Sequence, residues 1–158
     1  MNILIVYDSL YGNTEKIARH IAEEFKTEQV KIIKSKDATA KDFFSIELLI
    51  AGTPTHGGQP SQGMKDLLTM LPAGLLNNVK TAAFDTGIPL DGQKGFKRFI
   101  IRFIGYAAKR LAGILKKNGA IIIAAETFFV LDKEGPLKEG EIQRSAKWAR
   151  ELLNKQHP

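Results

Sequence analysis

The sequence predicts an α/β fold in which one parallel sheet is covered on both faces by helices. Three observations predict it. Apolar, β-branched runs alternate five times with segments of helical periodicity, and no repeat, low-complexity tract or linker breaks the alternation. Three loops rich in Gly, Thr, Ser, Asn and Pro follow the first, third and fourth runs. In open parallel sheets, ligands bind beyond the carboxyl ends of the strands, where the winding direction reverses. The chain length of 158 residues suits one domain over residues 1–158 with a well-buried core.

Residues 3–7 are uninterrupted apolar positions and read as a strand buried on both faces. Ile17, Ala18, Ile21, Ala22 and Phe25 then recur at helical spacing, with Glu15, Lys16, Arg19, Glu23 and Glu24 between them. The loop joining strand to helix is Ser9-Leu10-Tyr11-Gly12-Asn13-Thr14. A helix N-terminus has N–H groups with no internal partner and a partial positive charge, so this loop is a candidate anion cradle. Ser9 and Thr14 add hydroxyls, and Gly12 lets the backbone turn closely around a phosphate. The loop has no Lys or Arg, and neither a Gly-Lys-Ser/Thr end nor a G-x-G-x-x-G spacing is present there. Neutral donors of this kind suit one terminal phosphate, as in flavin mononucleotide; capping of the helix alone is the simpler alternative.

Further along, residues 29–34 read as a second strand nearer an edge, and 37–44 as a short polar connection or helix. Residues 46–51 form a third strand, ending at Gly52-Thr53-Pro54-Thr55-His56-Gly57-Gly58. Pro60 and Ser61 start a helix carrying Met64, Leu67, Leu68 and Leu71, which Pro72 and Gly74 stop. Residues 79–84 are a fourth strand leading into Asp85-Thr86-Gly87, and 120–130 a fifth, interrupted by Glu126. Ile142, Ala146, Ala149, Leu152 and Leu153 mark the last helix.

Composition excludes several chemistries. Without cysteine there are no disulfides, thiolate nucleophiles, Cys-ligated zinc sites or iron–sulfur clusters. No signal-peptide pattern and no membrane-length apolar run is visible, so a cytoplasmic location is expected. The net charge of +6 is concentrated. Lys94, Lys97, Arg98, Arg102, Lys109, Arg110, Lys116 and Lys117 fall in a stretch with no Asp or Glu; removing these eight leaves 15 basic against 17 acidic residues. The high charge therefore describes one face and bears on docking.

Together the three loops resemble those of flavodoxins: Ser9 to Thr14 the phosphate loop, Thr53-Pro54-Thr55-His56-Gly57-Gly58 the second flavin loop, and Asp85-Thr86-Gly87 the third. The resemblance spans nearly the whole chain, including Gly135-Pro136-Leu137 and Trp148-Ala149. It implies a three-layer sandwich with a five-stranded parallel sheet in the flavodoxin-like order 2-1-3-4-5, one noncovalent FMN, and electron transfer between redox partners. It also implies cofactor contacts from Ser9, Leu10, Tyr11, Gly12, Asn13, Thr14, Pro54, Thr55, His56, Gly57, Gly58, Asp85, Thr86 and Gly87. An FMN-containing quinone reductase driven by NAD(P)H is the alternative, and a module that has lost its flavin is a third class.

This chain departs from the family in two ways. Flavodoxins usually stack an aromatic ring on each flavin face, whereas here His56 is the nearest substitute in the second and third loops. They are also usually acidic, whereas Lys94 to Lys117 forms a basic stretch suited to an acidic redox partner. No nucleic-acid-reading element is visible. Asp8 lacks the second aspartate a receiver domain needs after strand three, where Thr53 stands, and no G-x-S-x-G elbow supports a serine hydrolase. No cluster of acids or histidines near His56 suggests a metal or a catalytic group. Asp85 at such a position more often anchors a loop by hydrogen bonding to backbone N–H groups than it titrates in chemistry. Glu126 reads as an edge-strand exit to solvent. Phe96, Phe99, Ile100, Ile101, Phe103 and Ile104, interleaved with Lys97, Arg98 and Arg102, read as a helix completing the core, or else as a lid or docking surface.

Overall fold

A computed structural model describes residues 1–90, 94–96 and 105–155. Strands β1 (Asn2–Tyr7), β2 (Gln29–Lys34), β3 (Leu48–Pro54), β4 (Lys80–Gly87) and β5 (Ile121–Phe129) form one sheet in the order β2-β1-β3-β4-β5, and every neighbouring pair is parallel. Among the described residues the α-helices are α1 (Asn13–Glu23), α2 (Gln62–Met70), α3 (Ala107–Lys117) and α4 (Glu141–Asn154). This is the doubly wound three-layer arrangement expected from the alternation of elements.

The period-two geometry of strands divides the interior into two cores. Ile3, Ile5 and Tyr7 of β1, Leu48 and Ile50 of β3, and Ala82 and Phe84 of β4 pack with Ile17 and Ile21 of α1 and Trp148 and Leu152 of α4. The alternate positions Leu4, Val6, Leu49, Ala51 and Ala83 pack on the other face with Met64, Leu67 and Leu68 of α2 and Leu111 and Leu115 of α3. Phe84, Phe128 and Trp148 meet edge to face, with ring centroids 5.8 to 6.2 Å apart. The chain's only Trp is therefore a core residue, 6% exposed.

The strands run further toward the site than their sequences suggest. The third and fourth strands, expected to stop at residues 51 and 84, continue to Pro54 and Gly87, where Thr53 pairs with Asp85 and Pro54 with Thr86. Gly, Pro and Asp are weak strand formers, but pairing of Thr53 and Pro54 with β4 and of Asp85 to Gly87 with β5 supplies the ladder and overrides local preference. The fifth strand is continuous through Glu126, which corrects the expected interruption; the register shift lies at Thr81/Ala82 of β4, facing Ile122 and Ala124. Because β5 is an edge strand, Glu126 reaches its surface and pairs with Arg144 at 3.0 Å. The polar connection after β2 is two short 3₁₀ turns, Ser35–Asp37 and Ala40–Phe43, the second closed by a Thr39/Asp42 capping box.

Helix α3 covers the second half of the long apolar-basic segment, burying Ala107, Ala108, Leu111, Ala112 and Leu115 and exposing Lys109, Lys116 and Lys117. Phe96 is 76% exposed. The expectations placed on Lys97, Arg98, Phe99, Ile100, Ile101, Arg102, Phe103 and Ile104 lie outside the described residues. No helix among the described residues is long and apolar enough to cross a membrane.

Candidate functional site

The carboxyl ends of β1, β3, β4 and β5 converge on a cavity of about 260 Å³. Its first wall is the loop into α1. Gly12 caps that helix from a left-handed conformation (φ 87°) that favours glycine, with no side-chain cap. Ser9 Oγ accepts from the Gly12 and Glu15 N–H groups at 3.1 and 3.3 Å and so shapes the loop. The N–H groups of Asn13 and Thr14 open the first turn, where no internal acceptor exists. Asn13 and Thr14 both line the cavity.

The second wall is a two-residue turn. His56 and Gln59 exchange both backbone hydrogen bonds, at 3.0 and 2.9 Å, around Gly57 (φ 55°) and Gly58 (φ 72°). Positive φ at both central positions is the requirement that selects Gly-Gly there. The Gly58 carbonyl accepts from Arg110 Nη1 at 2.9 Å, which fastens this turn to α3. The Thr55 N–H donates to the Thr86 carbonyl at 2.9 Å, joining the second wall to the third. The third wall is tied back to the first by a 2.8 Å hydrogen bond between the Thr14 and Thr86 hydroxyls. Behind it, the Tyr106 ring lies against Gly87 and its hydroxyl donates to the Ile88 carbonyl at 2.9 Å.

Of the residues expected to contact a cofactor, Ser9, Leu10, Tyr11, Asn13, Thr14, Pro54, Thr55, His56, Gly57, Thr86 and Gly87 line the cavity. Gly12 and Gly58 shape its walls from behind, as the cap of α1 and the anchor to Arg110. Asp85 is placed elsewhere. Its side chain is fully buried behind the third loop, where it accepts from the Ala107 N–H at 2.8 Å and from the Thr55 hydroxyl. It caps α3 and braces two loops, so its contribution to the cavity is to hold Thr55 and Thr86 in place. Sequence reasoning missed Ile88, Val130 and Lys133. Val130 and Lys133 belong to a fourth loop, after β5. The available signal was topological, since β5 ends at the same sheet edge as β1, β3 and β4.

Burial raises the pKa of Asp85 above the 3.8 of an ordinary carboxyl, against the opposing hydrogen bonds from Thr55 and Ala107. A carboxyl that holds its proton more tightly when folded contributes stability that is complete below the unfolded pKa and is lost as pH rises through the folded value. Asp85→Asn keeps an acceptor for Ala107 and removes the charge. It is expected to abolish this part of the pH dependence in urea unfolding between pH 4 and 8. Asp85→Ala takes the acceptor from the Thr55 hydroxyl and leaves the Ala107 N–H with only its longer 3.1 Å bond to Thr55 Oγ, and should cost about 1–3 kcal/mol. An Asp85→Asn variant with the wild-type pH slope would mean that Asp85 ionises normally.

The residues fit a flavin nucleotide. Open N–H donors and hydroxyls gather at the α1 end, while Leu10, Tyr11, Pro54, His56, Ile88 and Val130 offer a mostly apolar wall to a ring system. Fold and cavity together define a doubly wound α/β protein with a cavity at the carboxyl edge of its sheet. The family description Flavodoxin matches residues 5–149. No curated protein sequence matches the chain. A flavodoxin from the domain Archaea superposes with a TM-score of 0.77 at 18% identity, over 100% of each chain. Oxidised Flavodoxin 2 from Bacillus cereus superposes at 0.73 and 21% identity, covering 98% of this chain and 99% of that one. Rubredoxin oxygen:oxidoreductase from Desulfovibrio gigas gives 0.72 and 24%, with 98% of this chain covering 36% of that one. The chain belongs to the flavodoxin family, and its cofactor is FMN.

Proposed function

We propose that this protein is an electron carrier that exchanges electrons with separate redox proteins, and that it is not a stand-alone NAD(P)H-dependent quinone reductase. The observation that carries this reading is the character of the cavity mouth. Leu10 (63% exposed) and Tyr11 (41%) line the cavity and are exposed, and Leu131 (55%) follows the lining residue Val130, an apolar edge where another protein could approach the cofactor. Among the described residues, no carboxylate lines the cavity. Bound FMN supplies the electron-carrying chemistry. The chain's own residues bind the phosphate, hold the second loop through Arg110 and the third through Tyr106, and leave an edge open. A cytoplasmic location accords with this role.

Steady-state NADH and NADPH consumption by the purified FMN-loaded protein, with and without a quinone, is the test. No turnover above free FMN is expected, whereas reduction by an added flavin-dependent reductase should proceed. Catalytic NAD(P)H oxidation would favour the reductase reading and sink this one.

We further propose that the partner is acidic and docks beside α3. Lys94 and Lys109 are exposed, and the Arg110 contact to Gly58 sets the first turn of α3 against the second flavin loop. Charge complementarity acts mainly on encounter, and salt screens exposed charges over about 10 Å at 0.1 M. Lys94→Glu with Lys109→Glu is therefore expected to slow electron transfer with an acidic partner and flatten its salt dependence, with FMN affinity unchanged. Rates that stay put would make this stretch a solvated face only.

A further inference from the structure

We propose that Lys133, on the loop after β5, pairs with the phosphate of FMN and sets the preference for FMN over unphosphorylated flavin. The proposal rests on the reading that the α1 cradle holds the phosphate. It adds a cation that the cradle's own sequence lacks.

Three features of the structure point to Lys133. Among the described residues it is the only side chain on the cavity wall that carries a full charge at neutral pH; the other described lining residues are neutral donors, apolar groups and His56. Its ammonium group makes no ion pair among the described residues, whereas Arg144 is held by Glu126 and Glu141. Its place beside the cradle is built in by the loop. The Asn13 side-chain amide, at the start of α1, donates to the Glu134 carbonyl at 3.0 Å, one residue from Lys133. Gly135 (φ 110°) packs so closely on that amide that an added Cβ would lie 2.8 Å from it.

The loop is also closed on itself, so Lys133 has a fixed origin. The Gly135 N–H donates to the Asp132 carbonyl at 3.0 Å, and the Leu131 N–H to the Pro136 carbonyl at 2.9 Å. Asp132 directs its carboxylate to the Lys133 N–H at 2.8 Å. A flexible four-carbon stem then lets the ammonium reach a dianion held on the Asn13 and Thr14 N–H groups. Charge-assisted contacts of this kind are roughly twice as strong as neutral ones. Because Lys133 is exposed, salt must weaken the contribution.

The experiment measures dissociation constants for FMN and for riboflavin by flavin fluorescence, at about 20 mM and 500 mM salt, for the wild type, Lys133→Gln and Lys133→Arg. Lys133→Gln is expected to weaken FMN roughly tenfold at low salt and less at high salt, with riboflavin unchanged; Lys133→Arg should retain most of the FMN affinity. Equal losses for both flavins would place Lys133 at the ring or in loop folding, and no loss would make it a solvated residue; either overturns the proposal. The cradle itself is checked separately. If the wild type does not prefer FMN to riboflavin, the phosphate reading fails. If the preference exists and Lys133→Gln keeps it, only the role of Lys133 falls.

Discussion

Thr14→Asp is expected to lower FMN affinity by two to three orders of magnitude while leaving riboflavin affinity nearly unchanged. Thr14 is buried at the first turn of α1, lines the cavity and bonds the Thr86 hydroxyl at 2.8 Å. A carboxylate there faces the phosphate at short range. Two like charges at about 4 Å repel by about 4 kcal/mol at the effective dielectric of a protein surface, and each 1.4 kcal/mol is a factor of ten. The new acid also sits at a helix N-terminus, where the dipole favours negative charge, so α1 itself should tolerate it. Thr14→Val, which removes only the hydroxyl and its bond to Thr86, should have a much smaller effect on FMN. Titration of both flavins, with circular dichroism as the check on folding, decides the matter. Parallel losses of FMN and riboflavin would mean that the α1 loop is not the phosphate site.

Gly52→Ala is expected to have the largest effect on stability of any single-carbon change in the sheet. A Cβ at Gly52 would lie 2.1 Å from the tip of the Phe84 ring. That ring is fully buried and held edge to face by Phe128 and Trp148, so it has nowhere to retreat. Overpacking of this kind costs about 3 kcal/mol, at the upper end of the usual range. In a domain of this size it should lower the melting temperature by about 6–12 °C. The companion change Phe84→Leu, made in the Gly52→Ala background, should recover part of the loss because it vacates the contested space. A Gly52→Ala protein that melts with the wild type would show that the ring can shift freely, and the account of this core would be wrong.

The sequence alone determined the order and type of the elements and the three loops that meet at one sheet edge. Those features rest on local patterns. Unbroken apolar, β-branched runs such as residues 3–7 read as strands buried on both faces, and Ile17, Ala18 and Ile21 fall on one face of a helix. The cradle was legible for the same reason, since Ser9, Gly12 and Thr14 act within one strand-to-helix turn.

Tertiary structure decided whatever depends on a neighbour far along the chain. Asp85 stands in the middle of a flavin loop in sequence, yet its carboxylate caps α3 at Ala107, because its position in the β4 ladder buries it. Gly52 carries no local sign of being indispensable; the Phe84 ring across the sheet makes it so. Lys133 sits more than a hundred residues from the α1 loop; the end of β5 carries its loop to the same sheet edge, and the Asn13 bond to Glu134 fastens it there. Such placements come from strand pairing and loop closure, which join residues with no shared sequence pattern; the sequence suggested that Asp85 anchors a loop through backbone N–H groups, but not that Ala107 supplies the donor.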